Sequence, residues 1–256
     1  MINTEYSAEL SSSEIITLAA ILKCDAVFGI NKPSGTWLTD TKRRIDSAFQ
    51  SLEEKGLIYF TFDGDLYLKN ELKKIIQAMT EAESVALFTH IPYNSKKQSY
   101  YVFYRQGYMV RCEKTGSSSY SIVLKDSFEE SDLPKTLSEE KGEKISITLP
   151  LKNAEKAKKL IRAFDTDSAG KLLLEDCGHS EASELMTEVL SGGCSATSIR
   201  IRVKNGRLYT KTSNDLIIST SKGNMKLYTG EDELLKVESI SKDELLSEIK
   251  RNLEVN

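Results

Sequence analysis

Hydrophobic positions at helical spacing open the chain and predict two helices followed by a hairpin. Ser11 and Glu14 have the spacing of a capping box ahead of the first apolar stripe. The stripe of the second helix ends near Gly56, where a left-handed C-cap is expected. The strand-like runs LIYFTF and LYL flank Asp63-Gly64-Asp65, and this arrangement predicts a β-hairpin. The segment therefore resembles a winged helix in its order of elements.

The remainder of the first half alternates hydrophobic and polar residues and predicts an antiparallel meander. A third helix begins near residue 70, and a short acidic helix is expected at 128–139 before a polar run that contains Pro134. Because short turns cannot join parallel neighbours, the strands between these helices must pair antiparallel. The predicted strands are 84–91, 99–105, 108–114 and 120–125.

The second half repeats the same order of elements. A strand in KISITLP leads into helices at 152–164 and 180–191, and the second of these ends at Gly192-Gly193. Ser241 and Glu244 repeat the capping-box spacing before a final helix. The predicted strands between them are 196–204, 207–212, 215–220, 224–229 and 234–239. We divide the chain into an N-terminal half, 1–142, and a C-terminal half, 143–256, which together form one compact domain.

An internal repeat in the order of elements predicts how the two halves are related. YYVFYRQGYMVRCEKT and DLIISTSKGNMKLYTG are each followed by a strand and a helix, and Gly107 and Gly223 hold the corresponding turns. The identity between the two units is low, so chance recurrence of a common unit is the alternative. The repeat predicts an α+β fold with a central, largely antiparallel sheet, flanking helices and two halves related by a pseudo-twofold axis.

Composition limits the classes of function. The chain has 256 residues, 39% hydrophobic and 29% charged, with a formal net charge of -3. No apolar run approaches the ~18 residues of a membrane-spanning helix, and the start of the chain lacks the pattern of a signal peptide. We therefore expect a soluble, cytoplasmic protein without bulk attraction to nucleic acid or membrane.

Motifs for metal or cofactor binding are weak. Cys177, His179 and Cys194 suggest a zinc site, but their spacing fits no standard pattern and a fourth ligand is missing. Residues 165–170 open like a calcium loop, but position five is Ala169 and the bidentate glutamate is absent. We interpret these residues as a buried thiol, a histidine at a helix start and a turn capped by aspartates. No metal and no cofactor are expected.

Motifs for catalysis are equally weak. The chain contains neither of the glycine-rich phosphate loops, and residues 191–194 follow a helix instead of the strand that a nucleophile elbow requires. The two histidines stand apart from any obvious acid-base pair. We predict no catalytic residues and a protein that acts by binding a partner.

A DNA-binding regulator is the alternative function. Lys42, Arg43 and Arg44 would lie near the start of a recognition helix in a winged helix. Acidic residues follow the basic cluster, and Asp63 and Asp65 lie at the tip of the wing. These carboxylates would repel the duplex, so the binding of another protein is the preferred interpretation.

The chain as a whole resembles the EspG family, the cytosolic chaperones of type VII (ESX) secretion systems. The resemblance covers nearly the whole chain through SSSEIITLAAIL, SAFQSLEEKGLIYF and DLYLKNELKKIIQAMTEAESVALFT, and at the end LIISTSKGNMKLYTG, ELLKVESIS and KDELLSEIKRNL. Actinobacterial members are richer in Ala, Gly and Pro, whereas this chain is rich in Lys, Ser and Ile. It therefore resembles a divergent relative from a low-GC Gram-positive bacterium.

The resemblance implies a chaperone that keeps helical secretion substrates soluble and competent for secretion. Its partners would be small helical secreted proteins of the WXG100, LXG or PE/PPE kind, and the chain would be a monomer or weak dimer. The family binds its substrate with a sheet loop and a helical bundle, which correspond to 92–98 and to the helices at 152–164 and 180–191. The implied partner-binding residues are Tyr93, Asn94, Lys96, Lys97, Gln98, Leu185 and Met186. A solvated turn and two core residues are the alternatives at these positions.

Overall fold

The computed structural model describes residues 5–24, 27–30, 38–137, 144–206, 208–230 and 232–254. Within these ranges the chain is an α+β protein. The helices are α1 (Ser12–Ile21), α2 (Leu38–Glu54), α3 (Asn70–Glu81), α4 (Leu151–Arg162), α5 (Thr166–Cys177), α6 (Ser180–Ser191) and α7 (Lys242–Leu253). The strands are β1 (Tyr6–Ser11), β2 (Ile58–Phe60), β3 (Leu66–Leu68), β4 (Ser84–Ile91), β5 (Gln98–Arg105), β6 (Tyr108–Lys114), β7 (Ser119–Lys125), β8 (Ser146–Pro150), β9 (Ser195–Asn205), β10 (Leu208–Thr220), β11 (Gly223–Thr229) and β12 (Leu234–Ser239).

Ten of these strands form one antiparallel sheet in the order β1-β7-β6-β5-β4-β9-β10-β11-β12-β8. Each half of the sheet is a four-stranded meander. Its outer strand also pairs with a strand from earlier in the chain, which is β1 in one half and β8 in the other. The halves meet where β4 pairs with β9, from Ser84 opposite Val203 to Ile91 opposite Ala196. This order is symmetric about the central pair, and the predicted α+β class with two pseudo-twofold-related halves is confirmed.

Helices cover the two ends of one sheet face with separate cores. Leu18, Leu72 and Ile76 of α1 and α3 pack against the first half of the sheet. Ala157, Leu173 and Met186 of α4, α5 and α6 pack against the second half. Between these two helical layers, no described helix covers the middle of this face, and Phe28 packs on Tyr101 and Phe103 at one end of this open strip. The open strip is where the candidate site lies.

The opposite face of the central strands is covered by α7 and by the segment 126–137. Phe88 stacks between Tyr100 and Phe128, at centroid distances of 4.8 and 5.6 Å. Leu245 and Ile249 of α7 join the same core. None of the described helices is long and apolar enough to cross a membrane.

The capping predictions are confirmed for the first and last helices. Ser11 and Glu14 form a capping box on α1, and Ser241 and Glu244 form one on α7. Gly192 ends α6 in the left-handed region, with φ of 77°. A glycine is favoured there because a Cβ would raise the energy of that backbone conformation.

The structure differs from the sequence-based prediction of elements at four places. The segment after residue 164 is the helix α5, capped by the Asp165 carboxylate at the backbone N–H of Ser168. The predicted strands 207–212 and 215–220 are one strand, β10, whose register shifts between Lys211 and Ser213. β1 was not predicted. In place of an acidic helix at 128–139, the described part of that segment holds one 3-10 turn, Glu130–Asp132.

Two predictions about organisation remain predictions. The boundary between residues 142 and 143 falls in 138–143, outside the described residues. The winged-helix interpretation has the predicted helices α1 and α2 and a two-stranded sheet, β2-β3, in support. The segment that joins the two helices includes 31–37, which also lie outside the described residues.

Candidate partner-binding site

The loop between β4 and β5, residues 92–97, is an exposed turn as predicted. The backbone N–H of Ser95 donates to the carbonyl of Pro92 at 3.3 Å, and Asn94 adopts a φ of 58°. Lys96 and Lys97 are exposed, and Tyr93 is 58% exposed. Gln98, predicted as part of this loop, is the exposed first residue of β5. The loop therefore presents one aromatic ring and two cations to solvent.

This loop lies against the turn that follows α6. The backbone N–H of Tyr93 donates to Ser195 Oγ at 3.1 Å. A Cβ built on Gly193 would come within 4.0 Å of the Tyr93 ring. The loop and the end of α6, which were both predicted as binding elements, are therefore adjacent, although about a hundred residues separate them in sequence.

Glu188 fixes the end of α6 to the turn between β10 and β11. Its carboxylate accepts from the backbone N–H and from Oγ of Ser221, both at 2.7 Å. Cys194 Sγ lies 3.5 Å from the same carboxylate, and burial followed by the charge of Glu188 raises the pKa of this thiol to about 11. The turns 92–97, 191–195 and 221–222 form a continuous border, which we call the rim.

Below the rim, the open strip of the sheet forms a groove. Leu87 lies opposite Arg200, and Ser198 lies opposite both Thr89 and Leu216. Directly opposed residues of an antiparallel pair share a face. We call the surface formed by Leu87, Thr89, Ile91, Ser198, Arg200 and Leu216 the central groove. Ile91 is 50% and Leu216 is 38% exposed, and Arg200 is exposed.

The central groove was not predicted, although the sequence carries a signal for it. The run SIRIRVK alternates apolar and basic residues along β9. Ile199 and Ile201 are buried against α7, so Arg200 and Arg202 must face the other side of the sheet. Arg200 and Arg202 also line a small cavity with Leu87 and Tyr101. The groove is therefore partly apolar and positively charged.

Leu185 and Met186 do not face the rim or the groove. Leu185 is 4% exposed and Met186 is 0% exposed, and both belong to the core of the second half. Their assignment as partner-binding residues remains a prediction. In this structure they hold α6 on the sheet, while Glu181 and Glu184 are exposed on the same helix.

His90 lies buried beneath the open face, at the junction of the two halves. Its Nδ1 lies 2.9 Å from Thr197 Oγ1, and its Nε2 lies 2.9 Å from Thr136 Oγ1. Burial lowers the pKa of the imidazole, against a raising effect of its contact with the backbone of Ala196. His90 thus joins β4, β9 and the segment 126–137, and its placement is that of a structural residue.

The residues considered for metal binding do not come together in a metal-binding arrangement. Among the described residues, no three His, Cys, Asp or Glu side chains are grouped so that they could hold a metal ion. His179 is the N-cap of α6, and its Nδ1 accepts from the backbone N–H of Ala182 at 3.3 Å. Burial, followed by the charge of Asp176, raises the pKa of the Cys177 thiol. A protonated thiol is a poor metal ligand and a poor nucleophile.

The basic cluster considered for DNA binding lies on α2. Lys42, Arg43 and Arg44 are exposed. Arg43 and Arg44 border a concavity that also contains the carboxylate of Glu14. The acidic residues predicted to oppose a duplex, Asp63 and Asp65, are likewise exposed.

The fold places the chain in a class of α+β proteins built from one antiparallel sheet with two symmetric halves. A solved structure of this class is that of EspG5 from Mycobacterium tuberculosis, a type VII secretion system chaperone in complex with a PE25–PPE41 dimer. The two folds superpose with a TM-score of 0.62 over 97% of this chain and 95% of that chain, at 12% sequence identity. No family model and no curated protein matches the chain. The similarity therefore shows a shared fold.

Proposed function

We propose that this protein is a cytoplasmic chaperone that binds helical substrates of a type VII secretion system and keeps them soluble. The observation that carries the proposal is the meeting of the 92–97 loop with the end of α6 above an open groove. The shared fold with EspG5, which was solved in complex with a PE25–PPE41 dimer, supports the same function.

The apolar side chains of the rim and groove would supply most of the binding energy. Tyr93, Ile91 and Leu216 are large side chains that are 58%, 50% and 38% exposed. If a helical hairpin inserted between the two helical layers, these three side chains and the apolar tip of the hairpin would both be buried. An interface of standard size, about 800 Å² per partner, needs only a few such anchors.

Charge would select and orient the partner. Lys96 and Lys97 belong to the rim, and Arg200 lies in the central groove. A substrate with carboxylates beside its apolar tip would be attracted to this surface and held in register. Small helical secreted proteins of the WXG100, LXG or PE/PPE kind are the partner class that we propose.

Binding alone would be sufficient for this activity. A chaperone that covers an exposed apolar tip lowers the concentration of the aggregating species by mass action. The raised pKa of the Cys194 thiol and the structural contacts of His90 give no support for chemistry at this site. We therefore propose a protein that is not an enzyme and requires no cofactor.

The experiment is a binding measurement with variants of the rim. Tagged protein is purified from its native cytoplasm, and a co-purified small helical secreted protein is then produced with it and titrated in isolation. We predict that Tyr93→Ala weakens the affinity by about tenfold or more, because Tyr93 is an exposed aromatic anchor. Leu208→Ala is the control, since Leu208 is 73% exposed on a different hairpin.

Charge reversal tests the same surface separately. The double substitution Lys96→Glu and Lys97→Glu should slow association and remove most of its dependence on salt. Lys114→Glu, at an exposed position outside the rim, should leave both unchanged. Equal effects of the rim and control variants, or recovery of duplex DNA in place of a helical protein, would contradict the proposal.

A further inference from the structure

The end of the open strip that lies farthest from the rim is strongly basic. Arg200, Arg202 and Lys204 occupy alternate positions of β9, and all three are exposed. Lys211 of β10 is also exposed and lies directly opposite Arg202. Alternate residues of a strand, and directly opposed residues of an antiparallel pair, share one face of the sheet. All four cations therefore lie on the open face, and we call them the basic end.

The two arginines of the basic end border a small cavity with apolar walls. Its volume is about 100 Å³, and it is lined by Phe28, Val85, Leu87, Tyr101, Arg200 and Arg202. An ordinary small-molecule pocket has at least roughly 300 Å³, so this cavity suits the end of one side chain. A guanidinium pairs with a carboxylate through two parallel hydrogen bonds. Such a pair is stronger beside apolar walls than on an open surface, because the local dielectric constant is lower.

Within the described part of the chain, no carboxylate neutralises these arginines. Neither Arg200 nor Arg202 forms an ion pair or a side-chain hydrogen bond there. Two neighbouring carboxylates are engaged elsewhere. Asp215 faces the covered side of the sheet, where it pairs with Lys226. The carboxylate of Glu83 accepts from a backbone N–H in the turn after β5. The basic end is therefore complementary to acidic groups from outside the described chain.

The width of the strip selects a helix. On this face α3 contacts β5 and α6 contacts β10, and no described helix covers β4 and β9 between them. Neighbouring strands lie about 4.8 Å apart, so β5 and β10 are roughly 14 Å apart. One helix with its side chains is about 10–12 Å wide and fits this space. A nucleic-acid duplex does not fit, since its major groove alone is about 12 Å wide.

The length of the strip sets the positions of the acidic groups. Ile91, beside the rim, lies opposite Ala196, four residues before Arg200 and six before Arg202. At about 3.3 Å per residue, the arginines lie about 13 and 20 Å from Ile91 along the strip. A helix covers these distances in about nine and thirteen residues. Helical residues four apart share a face at about 6 Å, close to the ~7 Å between alternate residues of β9.

We propose that the basic end binds two carboxylates that lie four residues apart on a helix of the client, roughly nine and thirteen residues from its apolar tip. The inference rests on the proposed function and adds a direction to it. The apolar tip lies at the rim, and the acidic part of the helix lies at Arg200 and Arg202. A helix inserted the other way would place its carboxylates against Ile91 and Leu216 and leave the arginines unpaired. Helical proteins without the acidic pair are thereby bound less tightly.

Fluorescence anisotropy with a labelled synthetic helix tests the inference on the full chain. The probe is an alanine-based peptide of about twenty residues, with two leucines at one end and two glutamates roughly nine and thirteen residues from that end. It is made in both chain directions, because either helix of a hairpin can start from the tip. In the better direction, it should bind about tenfold more tightly than the same peptide with two glutamines, since charge-assisted hydrogen bonds add to the affinity.

Substitutions in the chain should remove or invert this preference. The double variant Arg200→Gln and Arg202→Gln should bind the glutamate and glutamine peptides equally. Arg251→Gln is the matched control, because Arg251 is exposed on α7 at the opposite face, and it should keep the tenfold preference. The double variant Arg200→Glu and Arg202→Glu should prefer a peptide with two lysines in place of the glutamates. A loss of structure at the basic end would not produce that inversion.

The failure of this inference is distinguishable from the failure of the proposed function. Equal binding of the glutamate and glutamine peptides by the wild type, no binding at about 1 mM, or binding of labelled duplex DNA in their place would overturn the inference. If Tyr93→Ala then still weakens the binding of a co-purified helical protein, the chaperone function stands without the acidic pair. If the glutamate peptide is preferred but no helical secreted protein co-purifies, the basic end binds acidic helices and the chaperone function is wrong.

Discussion

Glu14 shows how one buried carboxylate joins three parts of the first half. Its side chain is 3% exposed, and it accepts from Lys55 Nζ at 2.7 Å, from Ser51 Oγ at 2.9 Å and from the backbone N–H of Ser11. Burial alone would raise the pKa of this carboxyl group. The hydrogen bonds from Lys55, Ser11 and Ser51 outweigh burial and lower the pKa, so the ionised form is the one that the fold stabilises.

Substitution of Glu14 should therefore act on stability in a pH-dependent way. Since the folded-state pKa is lowered, the ionised carboxylate stabilises the fold above the ordinary pKa of glutamate, and this stabilisation is lost as the pH falls through the folded-state value. We predict that Glu14→Gln lowers the free energy of unfolding by about 2 kcal/mol at pH 7. The difference from the wild type should shrink below about pH 4.

Urea denaturation at several pH values measures this effect. The exposed Glu9→Gln on the preceding strand is the control and should change little at any pH. A Glu14→Gln difference that is constant from pH 7 to acid would show that the charge of the carboxylate contributes nothing.

At the scale of elements, the third strand of each meander anchors the segment that covers it. The turns between Arg105 and Tyr108 and between Thr220 and Gly223 align the two halves, so Arg111 and Lys226 occupy equivalent positions. Lys226 pairs with Glu248 of α7 and, at 3.3 Å, with Asp215. Arg111 lies 4.1 Å from the Tyr100 ring centroid and 3.9 Å from the Asp132 carboxylate. Each half thus uses a basic residue to hold a covering element.

The anchor of the first half should matter more than that of the second. Asp132 is fully buried and also accepts from Lys125 Nζ at 3.1 Å and from the backbone N–H of Glu129 at 2.9 Å. Asp132→Asn leaves a cation without its partner, and we predict a loss of about 3 kcal/mol in the free energy of unfolding. Glu248→Gln should cost about 1 kcal/mol, because Lys226 retains Asp215.

Thermal or urea unfolding of both variants tests this order. The exposed Asp126→Asn, near the end of β7, is the control for a charge lost from the same region. If Asp132→Asn is no more destabilising than Asp126→Asn, the Asp132 network does not hold the segment 126–137 on the sheet.

The sequence predicts a helix or strand well where the residues that define its ends are close together in the chain. The capping boxes at Ser11 and Ser241 and the glycine at position 192 mark helix ends directly, and these predictions are confirmed. α5 was not predicted because the aspartates that open it resemble a calcium loop as much as a helix cap. β1 was not predicted because a short edge strand is defined by its pairing with β7. That pairing joins residues more than a hundred positions apart.

The candidate site shows the same limit. The exposed turn 92–97 is predictable from its own residues. Its contact with Ser195 and the central groove depend on the pairing of β4 with β9, which no local pattern specifies. The burial of Leu185 and Met186 likewise depends on which face of α6 meets the sheet.

At the scale of the whole molecule, the two halves meet through one pair of strands and one shared core. Ile199 and Ile201 of β9 pack with Phe88 of β4 and with α7 on the covered face. Ser84 Oγ donates to the carbonyl of Leu253, which ties the end of α7 to the start of β4. The covered face holds the halves together, and no described helix covers the middle of the opposite face.

The most direct test of this account is site-specific photo-cross-linking in the native cytoplasm. A photoreactive amino acid replaces Tyr93 at the rim in one variant and, in the other, Thr148, which is exposed on the edge strand β8. We predict that the variant at position 93 cross-links to a small helical protein destined for secretion and that the variant at position 148 does not. Equal cross-linking at both positions, or no helical secreted protein at position 93, would contradict the chaperone function proposed for the rim and central groove.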